Sequence, residues 1–569
     1  MFKILDYKQK KTLIFLFAFS LIGMILETFG VGLVIPLIAI IADPNSFYSF
    51  NNFTKSLLTL ELTYEELLIY SFVIILCFYF IKTIFLSFLV YFQSKFIYSL
   101  KENLSNKLYL NYLSKNYLFH LSKNSSELIR NITLEVMYFG FAMISLTNII
   151  IEFLVFFGIL LLLLLFEPMG TILILIFFII ISLVFFKIIK LRTKIWGEER
   201  QYRDGKILQN LQQGLGAIKD VILMAKERYF LKQFSIHNQR SKVLDITYNL
   251  FQNIPKIVLE LLAVFALFAV VLISVLINEK DPIEIITFLS VFAAGSLRLL
   301  PSINRLINNF QTYRYYQPSV KILKDNIIDL KELNELKVKI DFSSEYKFKK
   351  LKITNLNYSY PESNVSLFND LSLEVNKGDI IGIIGKSGSG KSTLINIIMG
   401  LLEPKMGHIS INGLNMHDNV NSWQKKIGYV PQGIYLTDDT IEKNIAFGCF
   451  AENIDSDKVN KCLILSQLDE LVNNLPEKSQ TIVGERGAKL SGGQVQRIGI
   501  ARALYNEAEL LIFDEATNSL DSQTENEILN SINLLQNDRT ILIVTHNEKS
   551  LKNCNRIYKL ENGDLINIK

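Results

Sequence analysis

Apolar positions crowd the first part of the chain in runs too long for an ordinary globular core, and near Ser319 they give way to short stretches of a different period. A run of ~20 apolar residues spans a bilayer as a helix. Six stretches qualify: Leu13 to Ala42, Leu67 to Phe92, Val136 to Phe166, Thr171 to Ile189, Ile257 to Ile277 and Ile285 to Asn308. Several exceed the bilayer's need, which predicts helices that tilt or project into water. The first stretch is too long for a cleaved leader and has no small-residue cleavage site at its end.

Between the runs, Lys and Arg are distributed unevenly. Lys3, Lys8, Lys10 and Lys11 precede the first run, Lys95 to Arg130 separate the second and third, and Lys187 to Lys256 separate the fourth and fifth. The opposite loops, Asp43 to Glu66, Glu167 to Gly170 and Asn278 to Glu284, hold only Lys55 and Lys280. The basic side is therefore expected to be cytoplasmic. Ser94 to Ile132 and Lys190 to Pro255 are polar yet keep helical apolar spacing, which predicts spanning helices continued into the cytosol. Pro318 to Lys350 carries mixed charge and reads as a linker. From Leu351 the strand-like runs LKITNLNYSY, IIGIIG, LLIFDE and TILIVTH alternate with helical stretches, the signature of an α/β domain. The expected division is a membrane domain over 1–317, a linker over 318–345 and an α/β domain over 346–569.

Composition narrows the class. With 50% hydrophobic and 20% charged residues, a wholly disordered chain is excluded. A net charge of +5, from 59 basic and 54 acidic residues, is too mild to suggest a nucleic-acid surface. Four Cys without a CxxC pair indicate neither a zinc site nor a disulfide framework.

The run Gly385, Lys386, Ser387, Gly388, Ser389, Gly390, Lys391, Ser392, Thr393 fits GxxxxGK[ST] between a strand-like IIGII and a helix-like LINIIMGLL. In such a loop the backbone N–H groups converge on phosphate oxygens, Lys391 reaches the terminal phosphates and Ser392 ligates Mg²⁺. Downstream, LLIFD ends in Asp514 and is followed by Glu515, so one acid is placed to hold Mg²⁺ and the next to polarise an attacking water. The run LSGGQ, with Ser491, Gly492, Gly493 and Gln494, opens an amphipathic helix whose N-terminus also suits phosphate. Taken singly, each fits a plainer reading, as a Gly-rich turn or two surface acids opening a helix.

Together and in this order the motifs resemble the ATP-binding cassette family, from Leu351 to the C-terminus. The resemblance implies ATP and Mg²⁺ as cofactors. It casts Tyr360 as the adenine-stacking aromatic, Gln432 in YVPQ as the residue sensing Mg²⁺ and the membrane domain, and His546 in IVTH as the switch histidine. Catalytic roles fall to Glu515, His546, Lys391 and Gln432, and metal contacts to Ser392, Gln432 and Asp514. Asn518, Ser519, Leu520 and Asp521 stand where SALD is commoner, and Asn547 where exporters often carry Arg. Six spans and one cassette resemble an exporter half-transporter (type I/type IV fold), a multi-domain membrane protein with a six-helix α transmembrane domain and an α/β P-loop nucleotide-binding domain. GERGAKLSGGQ, with Glu485, also resembles exporters. The family pairs the P-loop of one protomer with Ser491 to Gln494 of another, which implies a homodimer, and it places coupling helices near Tyr117 to Glu127 and Gly214 to Lys226.

Ionisable residues inside spans cost a few kcal/mol on insertion scales and point to function. They are Glu27, Lys82, Glu152, Lys256, Glu260, Arg298 and Arg305. Lys256 and Glu260 also fit a pair along one helix face, Lys82 a snorkelling side chain, and Glu27 and Glu152 partners of a base on a neighbouring helix. Arg298 and Arg305, seven apart, share a face and suit either a planar anion such as pyrophosphate or interhelical ion pairing. Arg298 to Arg305 with Tyr315 and Tyr316, ETFGVGLVIP in the first span and the aromatic Ser46 to Leu60 resemble PglK-type lipid-linked oligosaccharide flippases of bacterial protein N-glycosylation. That resemblance implies a bacterial inner-membrane flippase with a cytoplasmic cassette. In it Lys256, Arg298 and Arg305 handle the pyrophosphate of the substrate, and an external amphipathic helix over Ser46 to Leu60 meets its polyprenyl tail. An exporter of a peptide, glycolipid or hydrophobic small molecule is the alternative; a cassette protein that gates without pumping is disfavoured by Glu515 and His546.

Overall fold

The computed structural model describes residues 4–42, 63–166, 168–276, 282–337, 347–361, 363, 365–516, 539–546, 551–552 and 554–569. They form two compact units, Met1–Lys115 with His120–Leu336 and Asn116–Phe119 with Lys337–Lys569. The segment Ser46 to Leu60, Asn518 to Asp521 and Asn547 lie outside the described residues.

The first unit contains six long helices among the described residues, matching the six predicted runs: α1 (Tyr7–Ala42), α2 (Tyr64–Ser114), α5 (Val136–Phe166), α6 (Pro168–Gly216), α8 (Glu227–Leu276) and α9 (Pro282–Lys337). Short helices α3 (Tyr117–Ser122), α4 (Ser125–Arg130) and α7 (Ile218–Leu223) lie between them, and a π-helical turn, Asn131–Glu135, joins α4 to α5. Both α3 and α7 fall where coupling helices are expected. Among the described residues, Tyr7–Gly30, Tyr64–Ser114 and Ser125–Leu162 are long and apolar enough to cross a membrane. On α2, Ile74, Phe80 and Ile84 are each more than half exposed. Such surface is stable where lipid replaces water as the solvent. Helix α2 has 51 residues; at 1.5 Å per residue it runs about 77 Å, more than twice a hydrocarbon core. Its remainder forms the polar extension that the sequence predicts. Leu100, Leu104 and Leu108, four apart on α2, pack with Phe139 and Met143 of α5 and with Val320 and Leu323 of α9.

That last contact corrects the linker. Pro318 does not end the helix: α9 continues to Lys337 with Pro301 and Pro318 inside it. Proline removes one backbone hydrogen bond, but here the following turn is anchored by burial. Ser319 is fully buried and accepts a hydrogen bond from Arg200 Nη2 at 3.1 Å, and Val320 and Leu323 lie in the core. A side chain at Gly197 of α6 would sit 2.2 Å from the Tyr315 carbonyl oxygen, so the glycine permits the close approach of α6 to α9.

The second unit holds two sheets. β1 (Lys350–Tyr358), β2 (Phe368–Asn376), β4 (Met406–Ile411) and β5 (Leu414–Asn415) form an antiparallel sheet ordered β2-β1-β4-β5. β3 (Ile380–Ile384), β6 (Ile427–Val430), β7 (Leu510–Asp514), β8 (Thr540–Val544), β9 (Arg556–Glu561) and β10 (Asp564–Asn567) form the other, ordered β10-β9-β3-β8-β7-β6. The run β3-β8-β7-β6 is parallel throughout. Strands buried on both faces read as continuous apolar runs, and alternate residues of β7 divide between two cores: Leu511 and Phe513 enter one with Ile498 and Leu504, Leu510 and Ile512 the other with Leu394 and Ile398. Leu118 packs against the second core.

Candidate nucleotide site and intramembrane charges

The parallel register sets the site. Ile383 pairs with Val544, Asp514 with Val544 and Val430 with Phe513, so β3, β8, β7 and β6 end level. The P-loop, His546, Asp514 with Glu515, and Gln432 follow those four ends. Ligands of open α/β sheets bind at that edge.

Within the P-loop, Gly390 has φ +102° and caps the helix Lys391–Ile398; a Cβ there would meet the Phe368 ring at 2.9 Å. Only glycine fits both demands. Lys391 Nζ donates to the carbonyls of Gly385 at 2.8 Å and Lys386 at 3.0 Å, so the ammonium lies folded over its own loop. Ser389 Oγ is buried without a hydrogen-bond partner among the described residues, a group left for an acceptor such as phosphate. A cavity of about 560 Å³ opens here, lined by Lys386 to Ser389 and by the β9–β10 turn at Asn562. The Tyr360 hydroxyl shares a 3.0 Å hydrogen bond with Thr393 Oγ1, and its ring meets Tyr358 edge-on.

Asp514 is 7% exposed. Burial pushes its carboxyl above the ordinary range, while hydrogen bonds from Tyr429 and Ser392 oppose the shift. The Tyr429 hydroxyl donates to Asp514 Oδ2 at 3.3 Å. Ser392 and Asp514 thus present hard oxygen donors side by side, a donor set that suits Mg²⁺ completed by phosphates and water. Among the described residues no cluster of three His, Cys, Asp or Glu offers another metal site.

Glu515 sits just past β7 at φ +50°, an uncommon conformation for a residue with a side chain, secured by its N–H donating to the Val544 carbonyl at 2.8 Å. Gln432 Nε2 donates to one of its carboxylate oxygens at 2.9 Å, and His546 Nδ1 lies 3.3 Å from the other. Ser491 caps the helix Gly492–Tyr505 in a reciprocal capping box with Gln494. The signature serine and glutamine bond each other rather than the P-loop.

Within the spans, Arg305 Nε meets Glu152 Oε1 at 2.6 Å, and Lys82 Nζ meets Glu27 Oε2 at 2.9 Å. Lys256 lies 4.0 Å from Glu260 on an exposed helix face. Lys256 and Arg305 line one cavity of about 450 Å³ together with Leu259, Glu260, Pro301 and Asn304. Arg298 lies on α9, its side chain outside the described residues.

Residues 12–297 match the family "ABC transporter transmembrane region" and residues 368–518 the family "ABC transporter". The chain is an ABC transporter. An ATP-dependent lipid A-core flippase of Ralstonia nicotianae is 36% identical over 218 residues, 38% of this chain and 37% of that protein. One from Cupriavidus pinatubonensis is 29% identical over 371 residues, 64% and 62% of the two chains. The leukotoxin export ATP-binding protein of Aggregatibacter actinomycetemcomitans is 34% identical over 271 residues, 47% of this chain and 37% of that one. Against the first relative the transporter thus spans little more than a third of its length. The fold matches a solved structure of a bacterial Atm1-family ABC exporter with ATP bound, at TM-score 0.77 and 20% identity over 98% of this chain and 95% of that one.

The transporter's fold therefore gathers Lys391, Ser392, Gln432, Asp514, Glu515 and His546 at one sheet edge, and Lys256 with Arg305 in one cavity. Sequence reasoning missed Tyr429, three residues before Gln432 in the same IGYVPQ run, whose side chain leaves β6 beside Asp514. It missed Asn562 as well, because only the sheet order brings the C-terminal hairpin beside β3.

Proposed function

We propose that this ABC transporter hydrolyses ATP to flip a polyprenyl-pyrophosphate-linked oligosaccharide across the bacterial inner membrane, acting as a homodimer. The observation that carries the substrate reading is the cavity bringing Lys256 and Arg305 together on facing helices, with Arg298 two turns before Arg305. A guanidinium binds phosphoryl oxygens bidentately, so a diphosphate entering this cavity would take the place of Glu152 at Arg305, with Lys256 of the same cavity as a second cation. The relatives named as lipid A-core flippases support lipid flipping in general.

For the chemistry, the P-loop amides and Lys391 cradle the phosphates, with Tyr360 at the base. A Mg²⁺ ion held by Ser392 and Asp514 would offset phosphate charge. Glu515, its two oxygens fixed by Gln432 and His546, orients and polarises water for in-line attack. Because each chain carries one signature, Ser491 to Gln494 of a second copy would close the site. Proteoliposomes with the lipid-linked oligosaccharide in the outer leaflet test this, since inverted transporter exposes its cassettes outside. ATP should move glycan out of reach of an added lectin, and Glu515→Gln should not. ATP-independent movement, or none with an active ATPase, would refute the reading.

A further inference from the structure

The structure assigns a second, separate lipid site at the start of α1, for an anionic phospholipid of the membrane leaflet on the basic side. Lys8, Lys11, Thr12 and Phe15 of α1 and Phe92 of α2 line a groove of about 380 Å³. The only acid close in sequence, Asp6, is held by Lys107 at 2.6 Å. Among the described residues neither Lys8 nor Lys11 has an ion-pair partner. Among the described residues the mouth therefore carries two cations with no acid answering them, which suits a phosphodiester.

Below the mouth the walls are aromatic. Phe15 meets Phe19 at 4.9 Å and Phe92 at 6.2 Å, and Phe19 meets Phe88 and Phe85 at 6.0 Å. Phe15 and Phe88 remain 56% and 50% exposed, so the row faces outward. From Lys11 to Phe19 the helix descends about 12 Å, giving an apolar furrow that starts at the headgroup level. Lysines near a helix end reach the interface and pair with headgroups there. Cation above and aromatic furrow below fit one amphipathic ligand, an anionic headgroup carrying an acyl chain. Free phosphate would use only the upper half. Six spans return the chain to the side where it began, so the bound lipid lies in the leaflet nearest the cassette's side of the membrane.

The test is native mass spectrometry of the full-length protein titrated with phosphatidylglycerol or with phosphatidylcholine of the same chains. Wild type should retain phosphatidylglycerol preferentially, and Lys8→Gln with Lys11→Gln should reduce that preference roughly tenfold. Lys8→Arg with Lys11→Arg should keep it, which separates loss of charge from misfolding. Phe92→Ala should weaken retention of both lipids, and millimolar inorganic phosphate should not displace phosphatidylglycerol. Equal retention by the Gln variant, or displacement by phosphate alone, would overturn the assignment.

Discussion

Replacing Glu515 by Gln separates chemistry from architecture. Among the side chain's contacts are one from Gln432 at 2.9 Å and one with His546 at 3.3 Å. An amide keeps an oxygen to accept from Gln432 and turns its nitrogen toward a histidine whose side chain is 63% exposed. Of these two contacts only the partly solvated one to His546 changes character, so folding should shift by about 1 kcal/mol. The carboxylate's charge is lost entirely, and a positioned base contributes roughly 10²–10⁴ in rate, or about 3–5 kcal/mol of barrier. Phosphate release should therefore fall at least about a hundredfold while ATP affinity, measured by calorimetry, and melting temperature stay close to wild type. Turnover within about twofold of wild type, or loss of ATP binding in step with turnover, would refute the assignment of Glu515 as the water-orienting group.

Tyr429→Phe removes the hydroxyl that donates to Asp514; a lost hydrogen bond of about 1 kcal/mol should raise the Mg²⁺ concentration for half-maximal activity about fivefold and weaken Mn²⁺ binding by paramagnetic resonance alike. Mixing wild type with chains carrying both Lys391→Ala and Ser491→Arg should lower ATPase faster than the mutant fraction rises; a linear fall would contradict a composite dimer site. Glu27→Gln should leave Lys82, whose side chain is 7% exposed, without its countercharge and lower stability by about 3–5 kcal/mol, with Lys82→Met restoring it. Unchanged thermal melting of Glu27→Gln in detergent would show that the pair carries no such weight.

The P-loop, Asp514 and the LSGGQ helix were legible because each depends on local chemistry: glycines at a turn, an apolar strand ending in an acid, a serine cap. Six helices were legible because bilayer thickness imposes a length that any solvent-facing segment would violate. The end of α9 was not, because Pro318 is a local stop signal overridden by contacts to Arg200 and to the α2 and α5 core, about 120 to 220 residues away in sequence. Nor could spacing say which acid meets which base: Arg305 takes Glu152 and Lys82 takes Glu27 through helix neighbours far apart in the chain. Tyr429 was hidden by a strand pattern in which an aromatic is ordinarily a packing residue.

We propose that the intramembrane cavity lined by Lys256, Glu260 and Arg305 handles the anionic part of a lipid-linked glycan while a separate domain hydrolyses ATP. It is tested most directly by Arg298→Ala with Arg305→Ala in proteoliposomes, reading translocation of a polyprenyl-pyrophosphate oligosaccharide and ATPase in the same preparation. Translocation should be lost with basal ATPase retained, and should recover only partly with Arg298→Lys and Arg305→Lys, since a point charge does not reproduce a bidentate contact. A folded double-Ala protein that hydrolyses ATP and flips the glycolipid at the wild-type rate would contradict it.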